Sequence, residues 1–222
     1  MYWQEDKIPD QVDVPDDIID LSFRIDCPVI PVDHSLMIFK AFSKHISWIR
    51  DAQGAGILPL PILHEGNGWY RSENAEDLLN LSKRTRLTLR IPLEKKKETE
   101  ALAGKTLQMG EYAMTLSAPT TKPLSKETNI WSHYIVADPG KTEEEFLDST
   151  IEKIRAMGIQ PRKALCGRTH EIQSADGPLF TRSLLLADLD INESITLQQN
   201  GLGQHRHLGC GLFIPHKNVS AI

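Results

Sequence analysis

One order of elements, met twice along the chain, constrains the fold more than any other feature. Apolar residues alternate with polar ones at Ile19, Leu21, Phe23, Ile25 and Cys27, the period of a half-buried strand. Asp33 stands where it can cap a helix beginning at His34, and Phe39, Phe42, Ile46 and Ile49 recur at helical spacing until Gly54 and Gly56 stop it. An apolar run over 57–63, a Gly66-Asn67-Gly68 turn, a Trp69-Tyr70 strand, a helix over 74–83 and a strand over 87–91 follow. That order is β-α-β-β-α-β.

The second half repeats it. A strand over 130–137 leads to Thr142 and Glu145, a capping box for a helix that turns Leu147, Ile151 and Ile154 inward and ends at Gly158. Strands over 163–172 and 179–189, a helix over 192–200 and a closing strand over 211–215 complete the unit. Two such units of about a hundred residues predict an α+β protein with two tandem ferredoxin-like domains, each an antiparallel sheet with two helices on one face. The stretch 120–128, rich in Thr, Pro and Lys, reads as the boundary between them. The expected division is an acidic extension over 1–16, a first domain over 17–118 and a second over 119–222.

A hydrophobic fraction of 40% with 25% charged residues is globular composition and argues against disorder or a collagen-like chain. The first residues have neither the basic flank nor the apolar stretch of a signal peptide, and no run is long enough for a membrane span, so the expected location is the cytoplasm. Cys27, Cys166 and Cys210 are far apart and are read as reduced. The net charge of −5 first argues against a polyanionic partner, but seven acids and one base in residues 1–20 hold −6 of it and leave the remainder at +1. Within that remainder Lys83, Arg84, Arg86, Arg90, Lys95, Lys96 and Lys97 crowd together, and a local cluster attracts phosphate whatever the total. A solvated helix end and strand edge would look the same.

The most specific string is Gly201-Leu-Gly-Gln-His-Arg-His-Leu-Gly-Cys-Gly211. Glycine permits positive φ and brings backbone N–H groups close to a partner, as a phosphate-gripping loop needs, so Gly201, Gly203, Gly209 and Gly211 are candidate phosphate-binding positions. Arg206 offers a fork of donors for phosphate or a guanine edge, and His205 and His207 add two more. A dinucleotide fingerprint is a poor fit, because Arg206 occupies the third glycine position and the order is helix, loop, strand. A zinc site from His205, His207 and Cys210 lacks a fourth ligand at recognisable spacing.

That glycine pattern before a final strand resembles the signature loop of the CRISPR repeat-processing endoribonucleases. Val32-Asp-His34, Lys44-His45-Ile-Ser-Trp48, Glu193-Ser-Ile-Thr-Leu-Gln198 and Leu208-Gly-Cys-Gly-Leu-Phe-Ile-Pro215 are similar to the Myxan-type subfamily. The matches lie at both ends of the chain. The resemblance implies a double ferredoxin-like fold, recognition of a repeat hairpin in precursor CRISPR RNA, cleavage without metal or other cofactor, and association with other Cas proteins of an interference complex.

Metal-free RNA cleavage uses the substrate's own 2′-hydroxyl, which a base deprotonates while an acid protects the departing 5′-oxygen. Histidine suits both proton roles, its usual pKa being about 6.5. His45 falls roughly 70° from the centre of the apolar stripe on a helical wheel, a rim position, and the resemblance places the catalytic histidine on this first helix. His34 projects on a similar side but about 16 Å away, and reads as a helix-start residue. Lys40, Lys44 and Ser43 are candidates for stabilising the phosphorane. The resemblance implies a tyrosine or lysine beside the histidine, and no tyrosine stands on this helix. Trp48 and Trp69 are stacking or core residues, His64 and Glu65 stay open, and His133, His170 and His216 are read as structural. Lys83, Arg84 and Arg86 complete the expected RNA-binding set. The rival readings are a noncatalytic RNA-binding subunit and a small-molecule sensor.

Overall fold

A computed structural model describes residues 12–60 and 77–216. The first domain holds β1 (Ile18–Asp26), β2 (Val29–Pro31), α1 (Ser35–Ser43), β3 (Gly56–Ile57), β4 (Leu78–Asn80), β5 (Arg86–Pro92), α2 (Lys96–Glu100), β6 (Thr106–Met109), β7 (Tyr112–Leu116) and β8 (Thr120–Lys122). Its sheet runs β3-β5-β1-β7-β6, with β8 also beside β1. Ile19 faces Ile91 and Phe23 faces Leu87 across the antiparallel β1–β5 pair. The alternation in β1 buries Ile19, Leu21, Phe23 and Ile25 under the helices. With β7 and β8 as one interrupted fourth strand, the strand order is that of a ferredoxin-like unit.

The second domain holds β9 (Ile130–Val136), α3 (Glu143–Ala156), β10 (Lys163–Ser174), β11 (Gly177–Ala187), α4 (Ile191–Asn200) and β12 (Ile214–Pro215), in the sheet order β10-β11-β9-β12. Both helices open on complete capping boxes, Thr142 with Glu145 and Asp190 with Glu193. Phe146, Ile154 and Leu197 pack on Ile130, Leu184 and Leu186 of the sheet. The chain therefore has two tandem ferredoxin-like domains, as the repeated element order predicts.

Several elements of the first domain differ from expectation. The first helix stops at Ser43 instead of running to Ile49. His45 N–H and Ile46 N–H both return to Phe42 O, Ile46 takes an extended φ of −132°, and a 3-10 turn, Ser47–Arg50, follows. Ile46 and Ile49 are both fully buried around this turn. Asp33 does not cap it, because its carboxylate accepts from Gln173 N–H of the second domain at 2.8 Å. The second helix is α2, in a stretch where the sequence pattern predicts no element. Only Thr99 of α2 is buried, so no apolar period marks it. Of the helix expected over 74–83, the described part carries β4, paired with β2, while the Gly66 turn, the Trp69-Tyr70 strand, His64 and Glu65 lie outside the described residues. The boundary placed at 119 falls too early, because β8 pairs Thr120 with Ser22 and Lys122 with Asp20.

The domains meet along two seams. Leu36 and Phe39 on the outer side of α1 pack against Tyr134, Ile172, Leu208 and Cys210. Phe39 thus faces the other domain, while Ile38, Ala41 and Phe42 face the sheet. On the other seam, Ile18 and Leu124 pack on Ile195. Among the described residues no helix is long and apolar enough to cross a membrane.

Candidate functional site

The end of α1 forms an open corner. Lys44 and His45 are exposed, and the half-buried Ser43 donates its hydroxyl proton to Lys40 O at 3.1 Å. Beside them Trp48 is half-buried, with Lys95 Nζ 5.6 Å from the centre of its ring. His34 is 4% exposed and shares a hydrogen bond between Nδ1 and Pro31 O at 3.0 Å, so of the two early histidines only His45 meets solvent. The 3-10 turn after His45 lies against a second 3-10 turn, Arg206–Leu208, in the glycine loop of the other domain. Sequence positions about 160 apart thus meet at one edge of the domain seam.

The glycine loop is built mainly for packing. Gly201, Gly209 and Gly211 all have positive φ, and a Cβ on Gly211 would lie 1.9 Å from Leu202 O, one on Gly201 2.7 Å from Gly211 O, and one on Gly209 2.9 Å from Pro59 of the first domain. The loop crosses itself through Leu202 N–H to Gly211 O, at 2.9 Å, and anchors to β9 through Gly211 N–H to Tyr134 O, at 2.6 Å. Gly203 alone of these glycines has open space where a Cβ would stand, despite a φ of +77°. His205 is half-buried and, unusually for a residue with a side chain, left-handed at φ +63°.

Arg206 does not offer its fork to solvent. Its guanidinium donates to Gly54 O of the first domain at 2.8 Å, to Gln199 O at 3.1 Å and to Asn200 O, the last carbonyls of α4. Burial, with Arg90 nearby, lowers its pKa to about 10. The expected phosphate donor is a bolt between domains. His207 is corrected in the same sense: 9% exposed, it packs on Phe39 with ring centres 4.3 Å apart. Desolvation, helped by Arg50 and His205 and opposed by Asp51, lowers its pKa to about 4 and keeps the ring neutral.

A second bolt escaped the sequence reading. Arg90, grouped there with the basic cluster, is fully buried. It makes a fork-to-fork pair with Asp20 at 2.8 and 2.9 Å and donates from Nη1 to Gln198 O at 2.9 Å and Phe213 O at 2.8 Å. The strand alternation puts Arg90 on the face away from Leu89 and Ile91, which in an isolated domain is the solvent face, and here the carbonyls of the second domain meet it. The rest of the cluster stays outside: Lys83 and Arg84 are exposed in the turn before β5, and half-buried Arg86 stands cross-strand from exposed Arg24.

Among the described residues no three His, Cys, Asp or Glu side chains converge as a metal ion requires. Cys210 is fully buried, and burial pushes its thiol up to about 12.

The model of one family, described as Cas6 Crispr, matches residues 19–218. The chain belongs to the Cas6 family. It is 25% identical over 197 residues to the CRISPR-associated endonuclease Cas6 of Myxococcus xanthus (strain DK1622), covering 89% of this chain and 81% of that protein. Among solved structures it is similar to a Cas6-related protein of Pyrococcus furiosus, with a TM-score of 0.57 at 14% identity over 88% of this chain and 97% of that one. It is also similar to a RAMP protein binding different RNA substrates, with a TM-score of 0.59 at 11% identity over 90% and 99% of the two chains. At such identities the structural likeness carries the family's double-domain fold and nothing finer.

Proposed function

We propose that the chain is an endoribonuclease that binds a CRISPR repeat hairpin and cuts precursor CRISPR RNA into guide RNAs. Family membership and the endonuclease name of the Myxococcus relative support the reaction class. The observation that carries the residue assignment is the exposure of His45 at the corner where the end of α1 meets the glycine loop.

The nucleophile belongs to the substrate. His45 takes the proton from the 2′-hydroxyl or gives one to the leaving 5′-oxygen, the oxygen attacks the adjacent phosphorus in line, and the P–O5′ bond breaks. The products are a 2′,3′-cyclic phosphate and a 5′-hydroxyl. Because the attacking oxygen is internal to the RNA, the step needs no metal-bound water. Lys44, exposed beside His45, supplies positive charge to the phosphorane, and Ser43 acts as a local support whose hydroxyl proton is committed to Lys40 O. Lys83, Arg84 and Arg86 hold RNA backbone, and Gly203 and His205 form the solvent-facing part of the glycine loop. Gly201, Arg206, His207, Gly209 and Gly211 shape that loop. Other Cas proteins of an interference complex are the expected partners of the product complex.

The test uses labelled repeat RNA in chelator. His45→Ala should lose about 10²- to 10⁴-fold in cleavage rate and keep its affinity. One 2′-deoxy nucleotide at the cut site should abolish cleavage and leave binding intact. Activity that disappears with the chelator rejects the metal-free route, and His45→Ala cleaving at the normal rate rejects His45. RNA bound tightly but never cut by the unchanged chain favours the noncatalytic RNA-binding reading.

A further inference from the structure

A cavity of about 360 Å³ opens between α3, the end of β9 and residues 202–205 of the glycine loop, and His45 does not line it. Its size lies in the range of ligand clefts, roughly 300–1,000 Å³. We propose that it is a subsite for one unpaired nucleotide of the bound RNA, a proposal that rests on the RNA-binding reading above.

The lining has the chemistry of a nucleotide's two ends. Ile135, Val136 and Leu202 form an apolar wall, and Val136 is 39% exposed, so apolar surface is left for a heteroaromatic ring. Lys153, Gln204 and His205 line it as well. Gln204 presents an amide that can donate and accept along a base edge, and Lys153 is an exposed cation suited to the attached phosphate. Among the described residues lining the cavity there is no carboxylate to repel that phosphate.

The backbone points the same way. Gly203 is the loop glycine that close packing does not explain, and it lines this cavity. His205 accepts a left-handed conformation that costs free energy, held by its carbonyl, which receives Leu208 N–H at 2.8 Å and Cys210 N–H at 3.2 Å. Those bonds fold the chain so that residues 203–205 turn to the cavity while 206–208 turn to the His45 corner. A base seated in the cavity would therefore fix the register of the strand that passes His45.

The test is an abasic scan in the full-length chain. Proteins carrying His45→Ala, alone and combined with Val136→Asp, Gln204→Ala or Lys153→Ala, are titrated with a repeat hairpin RNA bearing single-stranded flanks, and with copies in which one flanking nucleotide at a time lacks its base. Val136→Asp should weaken binding of the intact RNA about tenfold, and one abasic position should cost His45→Ala alone a similar factor. The two losses should not add. Gln204→Ala provides a second, milder variant at the same wall. An abasic profile that stays flat, or losses that simply multiply, overturns the cavity even if His45-dependent cleavage stands. If the His45→Ala background still cleaves, the His45 assignment falls while the affinity pattern still judges the cavity. If the unchanged chain binds no RNA, both readings fall together.

Discussion

The two helices that border the domain seam end in opposite ways. α1 stops at Ser43 without a glycine, and its last residues loosen into an exposed turn carrying Lys44 and His45. α4 stops at Gly201 inside a loop that crosses itself, and its last carbonyls are taken by two arginine side chains that reach the first domain or start from it. The open end has side chains free for chemistry and little packing to lose. The closed end has cationic residues whose positive charge serves the fold. Charge and glycine content alone would assign the substrate to the closed end. Burial reverses that for most of its residues, because an arginine already bonded to three carbonyls has little left to offer a phosphate.

Substitutions at the two ends should therefore separate stability from RNA handling. The largest loss is expected for Arg90→Met, which leaves Asp20 without its buried partner and frees Gln198 O and Phe213 O, costing about 3–5 kcal/mol in urea unfolding. A small loss would mean that the second domain does not cover this face of β5. Next come two glycine substitutions. Gly211→Ala meets both a left-handed φ and a carbonyl at 1.9 Å and should cost about 3 kcal/mol or more, whereas Gly203→Ala, in open space, should cost about 1 kcal/mol from φ alone. Equal losses would erase the distinction between packed and open loop positions.

A smaller effect follows pH. His133 and His207 are held near pKa 4, His133 by burial and by His170, against a usual value of about 6.5. Protonation thus favours the unfolded chain. The stability these neutral rings contribute is complete above about pH 6.5 and drains away as pH falls towards 4, by about 2 kcal/mol per ring at pH 5. His207→Asn should flatten part of that slope in urea midpoints compared at pH 7 and pH 5. The smallest effect concerns salt. Lys83→Ala or Arg84→Ala should lower the slope of log affinity against log salt by about 1, and Arg206→Ala should leave it unchanged. A flattened slope in Arg206→Ala would return the closed end to the RNA-binding surface.

How much was legible followed from how local the cause was. The second domain read closely: the capping box at Thr142 with Glu145 and Gly158 after α3 are signals within a few residues of their effects. In the first domain α2 is too short and too polar to show a period, and Ile46 and Ile49, which a helical wheel draws on one stripe with Phe42, are buried around a 3-10 turn instead of along a continued helix. Arg90 and Arg206 were misread for a single reason: each lies in a local pattern that points to solvent and is covered by a domain more than a hundred residues away in the chain.

The amino-acid order alone thus set the doubled βαββαβ plan, the element types of the second half and the unusual glycine loop, because periodicity, caps and glycine content act over one or two turns of chain, while the family resemblance singled out His45. Tertiary packing decided which cations stayed in water and which became bolts, that Phe39 belongs to the seam, and that residues 203–205 line a cavity while 206–208 brace the corner. Those outcomes depend on which surfaces the two domains hide from solvent, and desolvation is a property of the assembled whole.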